Sequence, residues 1–341
     1  MTTNKYDLLL PDIPYSGDKV IIEYVYANHT GYEFCSKTRI VDAVPAAVEA
    51  INTRYTCKKT MERLNFDPIS GYRPKQPHDP WFGIEQEYFV TRDDGVPVSY
   101  DPKKYNYEKL IIYTKIGHRH DKNIGIEREL SNRHMTACLN AGIKFGGLVR
   151  ENGPSQWEYQ IGPCPGETIG DHLNMSRYIL QRLAEIFGLR VTFHPVPVHG
   201  SPLTSSGHLN FSTNKMRAKG GITFIRHAIN LLANSEQDPL LKMYDPTLNQ
   251  ENNERLSNTS GHWHPQLHKF VCDVANKVFT TVRIPPLVNI NGYGYFEDRR
   301  PSSALDPYAA ADGIVRSSIF GDFLNPGFDS LKDLSVWDSN P

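Results

Sequence analysis

Residues 81–90, WFGIEQEYFV, constrain this chain more than any other stretch. Their aromatic and β-branched residues favour a strand, and a strand places side chains two apart on one face. Glu85 and Glu87 therefore project together. Two desolvated carboxylates a few ångströms apart repel, so they need a divalent cation or a bound base between them, or one must take up a proton. The polar face of an ordinary amphipathic strand also reads E-x-E, so the pair by itself does not define a site.

At 341 residues the chain can bury a large core as one large or two smaller domains. Charged residues make up 22% and the formal net charge is −1, which gives nucleic acid or an anionic membrane no field to act on. No window approaches about 18 consecutive apolar residues, and the opening MTTNKYD lacks the charged-then-apolar order of a secretory signal. The expectation is a cytoplasmic protein with neither nucleic-acid nor membrane partner. The five cysteines, Cys35, Cys57, Cys138, Cys164 and Cys272, are scattered and contain no C-x-x-C pair. That argues against a disulfide framework or a cysteine zinc site, and fits a reducing compartment.

Two β-like runs, residues 19–27 and 32–41, flank an Asn-His-Thr-Gly turn and predict a hairpin. Two strands alone are marginal in water, so this unit needs further support. A helical pattern follows over 44–64, then Pro68, Pro74, Pro77 and Pro80 break regular structure. After the opening stretch and a polar segment over 91–123, helices are expected at 127–141, 173–187, 222–234, 266–277 and 306–319. Strands are expected at 145–150, 156–161, 190–193, 208–212, 280–284 and 293–297. A Gly/Ser-rich loop, 200–208, precedes one of them, and the tail after residue 323 is polar. Helices interleaved with short strands in this way indicate an α+β architecture.

The strands carry the notable acids. Glu85, Glu87, Glu151, Glu158 and Glu297, with His208, form an oxygen-rich set with one nitrogen donor, which suits hard cations such as Mg²⁺ or Mn²⁺. Three ligands per ion would hold a pair, and such pairs bind nucleotide phosphates and offset the charge that develops in phosphoryl transfer. The run Glu297-Asp298-Arg299-Arg300 adds two guanidiniums able to hold a carboxylate or phosphate by paired hydrogen bonds. Composition and spacing reach as far as a metal site for an anionic substrate.

Longer stretches go further. WFGIEQEY at 81–88, QWEYQIGPC at 156–164, GDHL at 170–173, GHLNFST at 207–213 and GYFEDRRPS at 294–302 resemble the signature stretches of eukaryotic-type glutamine synthetase. The resemblance covers about residues 18–42 and 52–315. It implies a truncated β-grasp-like N-terminal domain over 1–48 and a catalytic domain over 49–341 built on a curved antiparallel sheet flanked by helices. It also implies an ATP-dependent ligase that joins ammonia, or another amine, to the γ-carboxylate of glutamate through γ-glutamyl phosphate, within a homo-oligomer that in this family is a decamer.

Carried over by residue, the resemblance implies that Glu87, Glu151 and Glu158 hold one Mg²⁺ or Mn²⁺ and that Glu85, His208 and Glu297 hold another. It gives Arg299, Arg283 and Glu297 catalytic roles, with Arg299 at the glutamate carboxylate and the transferred phosphoryl group and Arg283 at ATP. It assigns Trp81, Glu158, Gln160, Gly162, Pro163, Asn210, Ser212, Lys277 and Tyr295 to the nucleotide, and Arg255, Gly207 and His208 to the substrate side.

The departures are as specific as the matches. The D-G-S-S segment of the small domain is missing after Asp42, and with it the aspartate that helps bind ammonium in a neighbouring subunit. Trp263 stands where the family's H-E-T motif supplies a base, and an indole cannot accept that proton. The N-G-A-G loop is replaced by Leu203-Thr204-Ser205-Ser206-Gly207, A-N-R ends in Lys277 and I-P-R in Pro286. Two readings follow. One is a ligase of the glutamine synthetase type, working slowly or on another amine. The other is a catalytically impaired or inactive homologue that binds metal and nucleotide and acts through structure or interaction. A two-metal phosphohydrolase fits the ligand types but not the extended resemblance.

Overall fold

The alternating run over residues 81–90 becomes the centre of a sheet. In the computed structural model, β3 (Trp81–Thr91) buries Phe82, Ile84, Tyr88 and Val90 in the hydrophobic core on one face and turns Glu85 and Glu87 to the other. The structure describes residues 20–27, 34–41, 78–100, 124–166, 168–201, 203–245, 249–257, 270–274 and 280–321. The helix expected at 44–64, the proline-rich connector up to residue 77, most of the 91–123 segment, Trp263, Lys277, the tail and the proposed boundary at residue 48 lie outside them.

The expected hairpin strands are present. β1 (Val20–Ala27) and β2 (Phe34–Val41) pair antiparallel from Val20↔Val41 to Ala27↔Phe34. A separate eight-stranded sheet runs in the order β4 (Phe145–Arg150), β5 (Gln156–Pro165), β3, β7 (Gly207–Ser212), β10 (Phe296–Asp298), β9 (Val282–Arg283), β8 (Cys272–Asp273). A short β6 (Arg190–Thr192) pairs with the far end of β3. Register shifts between Phe82 and Ile84 and between Phe145 and Gly147 interrupt the pairing, the kind of irregularity that bends a strand.

All pairings in this sheet are antiparallel except β8 with β9, which is parallel, so the purely antiparallel expectation holds for the body of the sheet and fails at its edge. The same edge corrects the helix expected at 266–277 where it is described: Cys272 and Asp273 are strand. The cause is backbone pairing: the Val271 carbonyl accepts from the N–H groups of Thr281 and Val282, across to the neighbouring strand.

Helices α1 (Ile124–Asn140) and α2 (Thr168–Ile186) pack together against this sheet, and α2 stops before Gly188, which is left-handed at φ 64°. A four-residue turn of helix, α3 (Asn214–Arg217), is capped by the Thr213 hydroxyl. Then come α4 (Ile222–Asn234), α5 (Gln237–Tyr244), α6 (Asn249–Ser257) and α7 (Pro286–Asn291). Pro286, noted as a lost charge, starts α7, where a missing N–H costs nothing. The last helix, α8 (Pro307–Val315), is capped by Asp306, whose carboxylate accepts from Tyr308 and Ala309 N–H; it leads into a π-helical turn, Arg316–Phe320. Among the described residues no helix is long and apolar enough to cross a membrane.

Candidate active site

Strand register gathers the acids. Glu87 on β3 faces Glu158 on β5, and Glu85 faces His208 on β7. On the next strand Glu297 of β10 pairs with Asn210 of β7. Glu151 leaves the end of β4, held by its N–H to the Gln156 carbonyl. The result is two clusters: potential ligand atoms of Glu85, His208 and Glu297 lie within 4.8 Å of one another, and so do those of Glu87, Glu151 and Glu158. The first offers two oxygens and a nitrogen, the second three oxygens, as hard divalent cations prefer.

Their electrostatics show that the protein alone leaves these clusters short of positive charge. Burial, followed by the nearby Glu85, Glu151 and Glu87 carboxylates, pushes the Glu158 carboxyl well above its usual range. Burial and the charge of Glu87 push Glu151 up to about 7, and burial raises Glu87 despite the His208 charge and the Ser206 N–H. Burial alone would raise Glu85, but the hydrogen bond and charge of His208 outweigh it and hold that carboxyl at about 2. Burial would likewise lower His208, yet hydrogen bonds to Glu297 and Glu85 carry it up to about 10. Protons on acids and on the imidazole stand in for cations, and five convergent carboxylates with one imidazole fit a divalent metal pair.

Supporting groups fix the ligands. Glu87 Oε2 accepts from Ser206 N at 2.7 Å and from Gln156 Nε2 at 2.9 Å. His208 Nδ1 lies 3.3 Å from carboxylate oxygens of both Glu85 and Glu297. Asn210 Nδ2 donates to Glu85 at 3.0 Å, and Gln160 Nε2 to Glu158 at 2.5 Å. Sequence reasoning did not single out Gln156, although it precedes Glu158 by two on the same strand and so shares its face.

The arginines sort by strand alternation. Arg283 of β9 lies opposite Glu297 and forms an ion pair with its Oε2, and Arg299 Nε approaches the other oxygen at 3.6 Å. Asp298 and Arg300 point to the opposite face: Arg300 Nε donates to Asp298 Oδ1 at 2.8 Å and Tyr244 Oη donates to Oδ2 at 2.8 Å, all three residues buried. Arg299 therefore belongs to the site and Arg300 to the core. Arg255, expected on the substrate side, is buried within the protein, and Gly207 gives its N–H to the Pro301 carbonyl at 3.0 Å. A Cβ at Gly207 would collide with Leu305 and the Ser302 carbonyl, which is why this position takes glycine.

A pocket of about 470 Å³ opens beside the first cluster, and Glu85 is part of its wall. Of the residues assigned to the nucleotide, Trp81, Gln160, Gly162, Pro163, Asn210, Ser212 and Tyr295 line it, whereas Glu158 and Arg283 do not. Gly162 is at φ 117°, and a Cβ there would come within 2.7 Å of the Phe82 carbonyl, so β5 can approach β3 here only through glycine. Arg217 and Tyr293, which lie outside the signature stretches, line it too. The Arg217 guanidinium sits 4.3 Å from the Trp81 ring centroid and donates to Asp79 Oδ2 at 2.8 Å and Ser212 Oγ at 3.0 Å. Its spacing five residues after Ser212 was the available signal, since α3 turns the chain back over the strand end.

An α+β fold whose central antiparallel strands carry two clusters of potential metal ligands, one of them beside a ligand-sized pocket, defines a class of protein able to hold divalent cations. The sequence profile of the glutamine synthetase catalytic domain matches residues 51–222. Glutamine synthetase of Xenopus laevis is 40% identical over 271 residues, 80% of this chain and 64% of that protein. Those of Bos taurus and Homo sapiens are 39% and 37% identical over the same length, 80% of this chain and 68% of each relative. The chain belongs to the glutamine synthetase family. It spans about two thirds of the length of these curated relatives. Among solved structures, GmaS without ligand superposes with a TM-score of 0.57 at 18% identity over 78% of this chain and 57% of that one. GmaS in complex with ADP gives 0.56 at 18% identity, over 78% and 58%. At that identity the likeness speaks for the fold.

Proposed function

We propose that the chain is an ATP-dependent carbon–nitrogen ligase of the glutamine synthetase type, which phosphorylates the γ-carboxylate of glutamate and transfers the acyl group to an amine. The observation that carries this reading is the pocket that opens on the Glu85 carboxylate, at the edge of the acidic clusters. Glu85, His208 and Glu297 would hold one Mg²⁺ or Mn²⁺ and Glu87, Glu151 and Glu158 another; when bound, such ions offset the charge on nucleotide phosphates. Trp81 and Tyr295 offer aromatic faces to a base, and Arg217 adds a guanidinium on the same wall.

In the first step a γ-carboxylate oxygen of glutamate attacks the terminal phosphorus of ATP, and the bond to the ADP oxygen breaks. In the second the amine nitrogen attacks the acyl carbon, phosphate leaves and the amine gives up a proton. Arg299, beside Glu297, would hold the carboxylate and the transferred phosphoryl group, while Arg283, paired with the same carboxylate, would keep Glu297 oriented. The replacement of a carboxylate base by Trp263 favours an amine that arrives unprotonated over ammonium. A homo-oligomer, a small domain over 1–48 ahead of the catalytic domain over 49–341, and a cytoplasmic location complete the proposal.

Purified protein with Mg²⁺, ATP and glutamate is expected to release phosphate when ammonium, hydroxylamine or a small primary amine is added, with hydroxylamine yielding γ-glutamyl hydroxamate. Nucleotide binding without any amine-dependent release would instead assign the chain to the impaired, structural reading.

A further inference from the structure

The guanidinium of Arg255 has five N–H donors, and the structure places four hydrogen bonds on it. Its Nε donates to Asn252 Oδ1 at 2.8 Å, Nη1 to Ser206 Oγ at 3.0 Å, and Nη2 to the Arg300 carbonyl and, at 3.2 Å, to the Pro301 carbonyl. These partners are neutral oxygens, and the residue is 2% exposed. Three of the four bonds tie α6 to itself and to the 300–301 turn. The fourth is different, because it ends on a side chain that a glycine at the same position would not have.

Ser206 is itself held firmly. Its N–H donates to Glu87 Oε2 at 2.7 Å, its carbonyl accepts from Glu87 N at 3.0 Å, and it bridges Ser302. Asp245, Glu87, Arg299 and Asp298 all lie close enough to Arg255 to act on its charge, so it faces carboxylates on the core side as well as the cluster side. The buried guanidinium thus reaches toward the Glu87 cluster through Nη1, which ends on the Ser206 hydroxyl. We propose that Ser206 is a specificity-determining residue: it latches Arg255 into the protein and withdraws it from a bound amino acid, so that recognition of the substrate carboxylates falls to Arg299. The inference rests on the ligase reading for the identity of the amino acid. It makes this site a weak binder of free glutamate and leaves space for acceptors that do not present an α-carboxylate to Arg255.

The test is calorimetric titration of L-glutamate into the full chain with Mg²⁺ and ADP present, for the wild type, Ser206→Gly and Ser206→Ala. Both substitutions keep the backbone bonds to Glu87 and free Nη1 for a carboxylate, where a charge-assisted hydrogen bond supports a gain of about tenfold in affinity. ADP affinity, measured on the same samples, is expected to stay close to that of the wild type, while the melting temperature without glutamate falls because buried Nη1 loses its partner. Glutamate affinity that fails to rise in both variants while ADP still binds overturns the latch. Failure of the wild type to bind ADP at all would strike the ligase reading, and a rise in glutamate affinity in the variants would still support the latch.

Discussion

Glu85→Ala and Glu297→Ala are each expected to weaken magnesium-dependent nucleotide binding by at least about a hundredfold. Loss of a group that only supports a metal ligand typically costs about 10- to 100-fold, and these residues are themselves donors in the cluster of Glu85, His208 and Glu297. Glu85 also forms part of the pocket wall, so an ion held there would face the phosphates of a nucleotide. The comparison variant is Glu158→Gln, in the cluster whose members do not line the pocket. Because like charges and burial raise the Glu158 carboxyl well above its usual range, a neutral amide there relieves repulsion, and the variant is expected to fold at least as stably as the wild type. Titration of a fluorescent nucleotide with Mg²⁺ and with EDTA measures the effect. Unchanged, metal-dependent binding in both alanine variants would show that the ions are held elsewhere.

Arg299→Ala is expected to lower amine-dependent phosphate release by about 10²- to 10³-fold, the loss typical of removing one preorganised stabilising donor. Nucleotide affinity is expected to change by only a few-fold, because Arg299 does not line the pocket proposed to take the nucleotide. The side chain is 20% exposed, against 3% or less for Asp298 and Arg300 on the other face of the strand. Arg299→Lys should restore little of the loss, since an ammonium keeps the charge but not the forked geometry. Arg300→Ala separates the roles: it leaves the buried Asp298 carboxylate without its charged partner, with only the Tyr244 hydroxyl and a backbone N–H to hold it, and is expected to destabilise the fold by about 3–5 kcal/mol before it affects turnover. Turnover by Arg299→Ala at the wild-type rate would remove Arg299 from the reaction.

The acidic centre was legible because strand periodicity is simple. Two-residue spacing put Glu85 and Glu87 on one face, and the strand-like runs around Glu158 and Glu297 put those acids on strands as well. The signature stretches then supplied the grouping of these residues into two ligand sets, which no local pattern encodes. Helix α6 was not foreseen, since NQENNERLS has no apolar stripe, and its role rests on the buried contacts of Asn252 and Arg255. The β8 edge was mistaken for helix because residues 266–277 carry an apolar period that only the backbone pairing with Thr281 and Val282 overrides. Charge alone also left the two arginines after Asp298 undivided; strand alternation and burial separate them. The internal engagement of Arg255 was invisible to the sequence, because the partners of its Nη2, the Arg300 and Pro301 carbonyls, belong to the backbone.

Counting bound manganese ions by electron paramagnetic resonance, as Mn²⁺ is titrated into the protein with ADP present, tests the paired site most directly. Two ions per chain are expected for the wild type, one for each cluster, with Glu85→Ala losing one of them and Glu158→Gln the other. A single ion in the wild type, or the same ion lost in both variants, would contradict the division of these six residues into two metal sites.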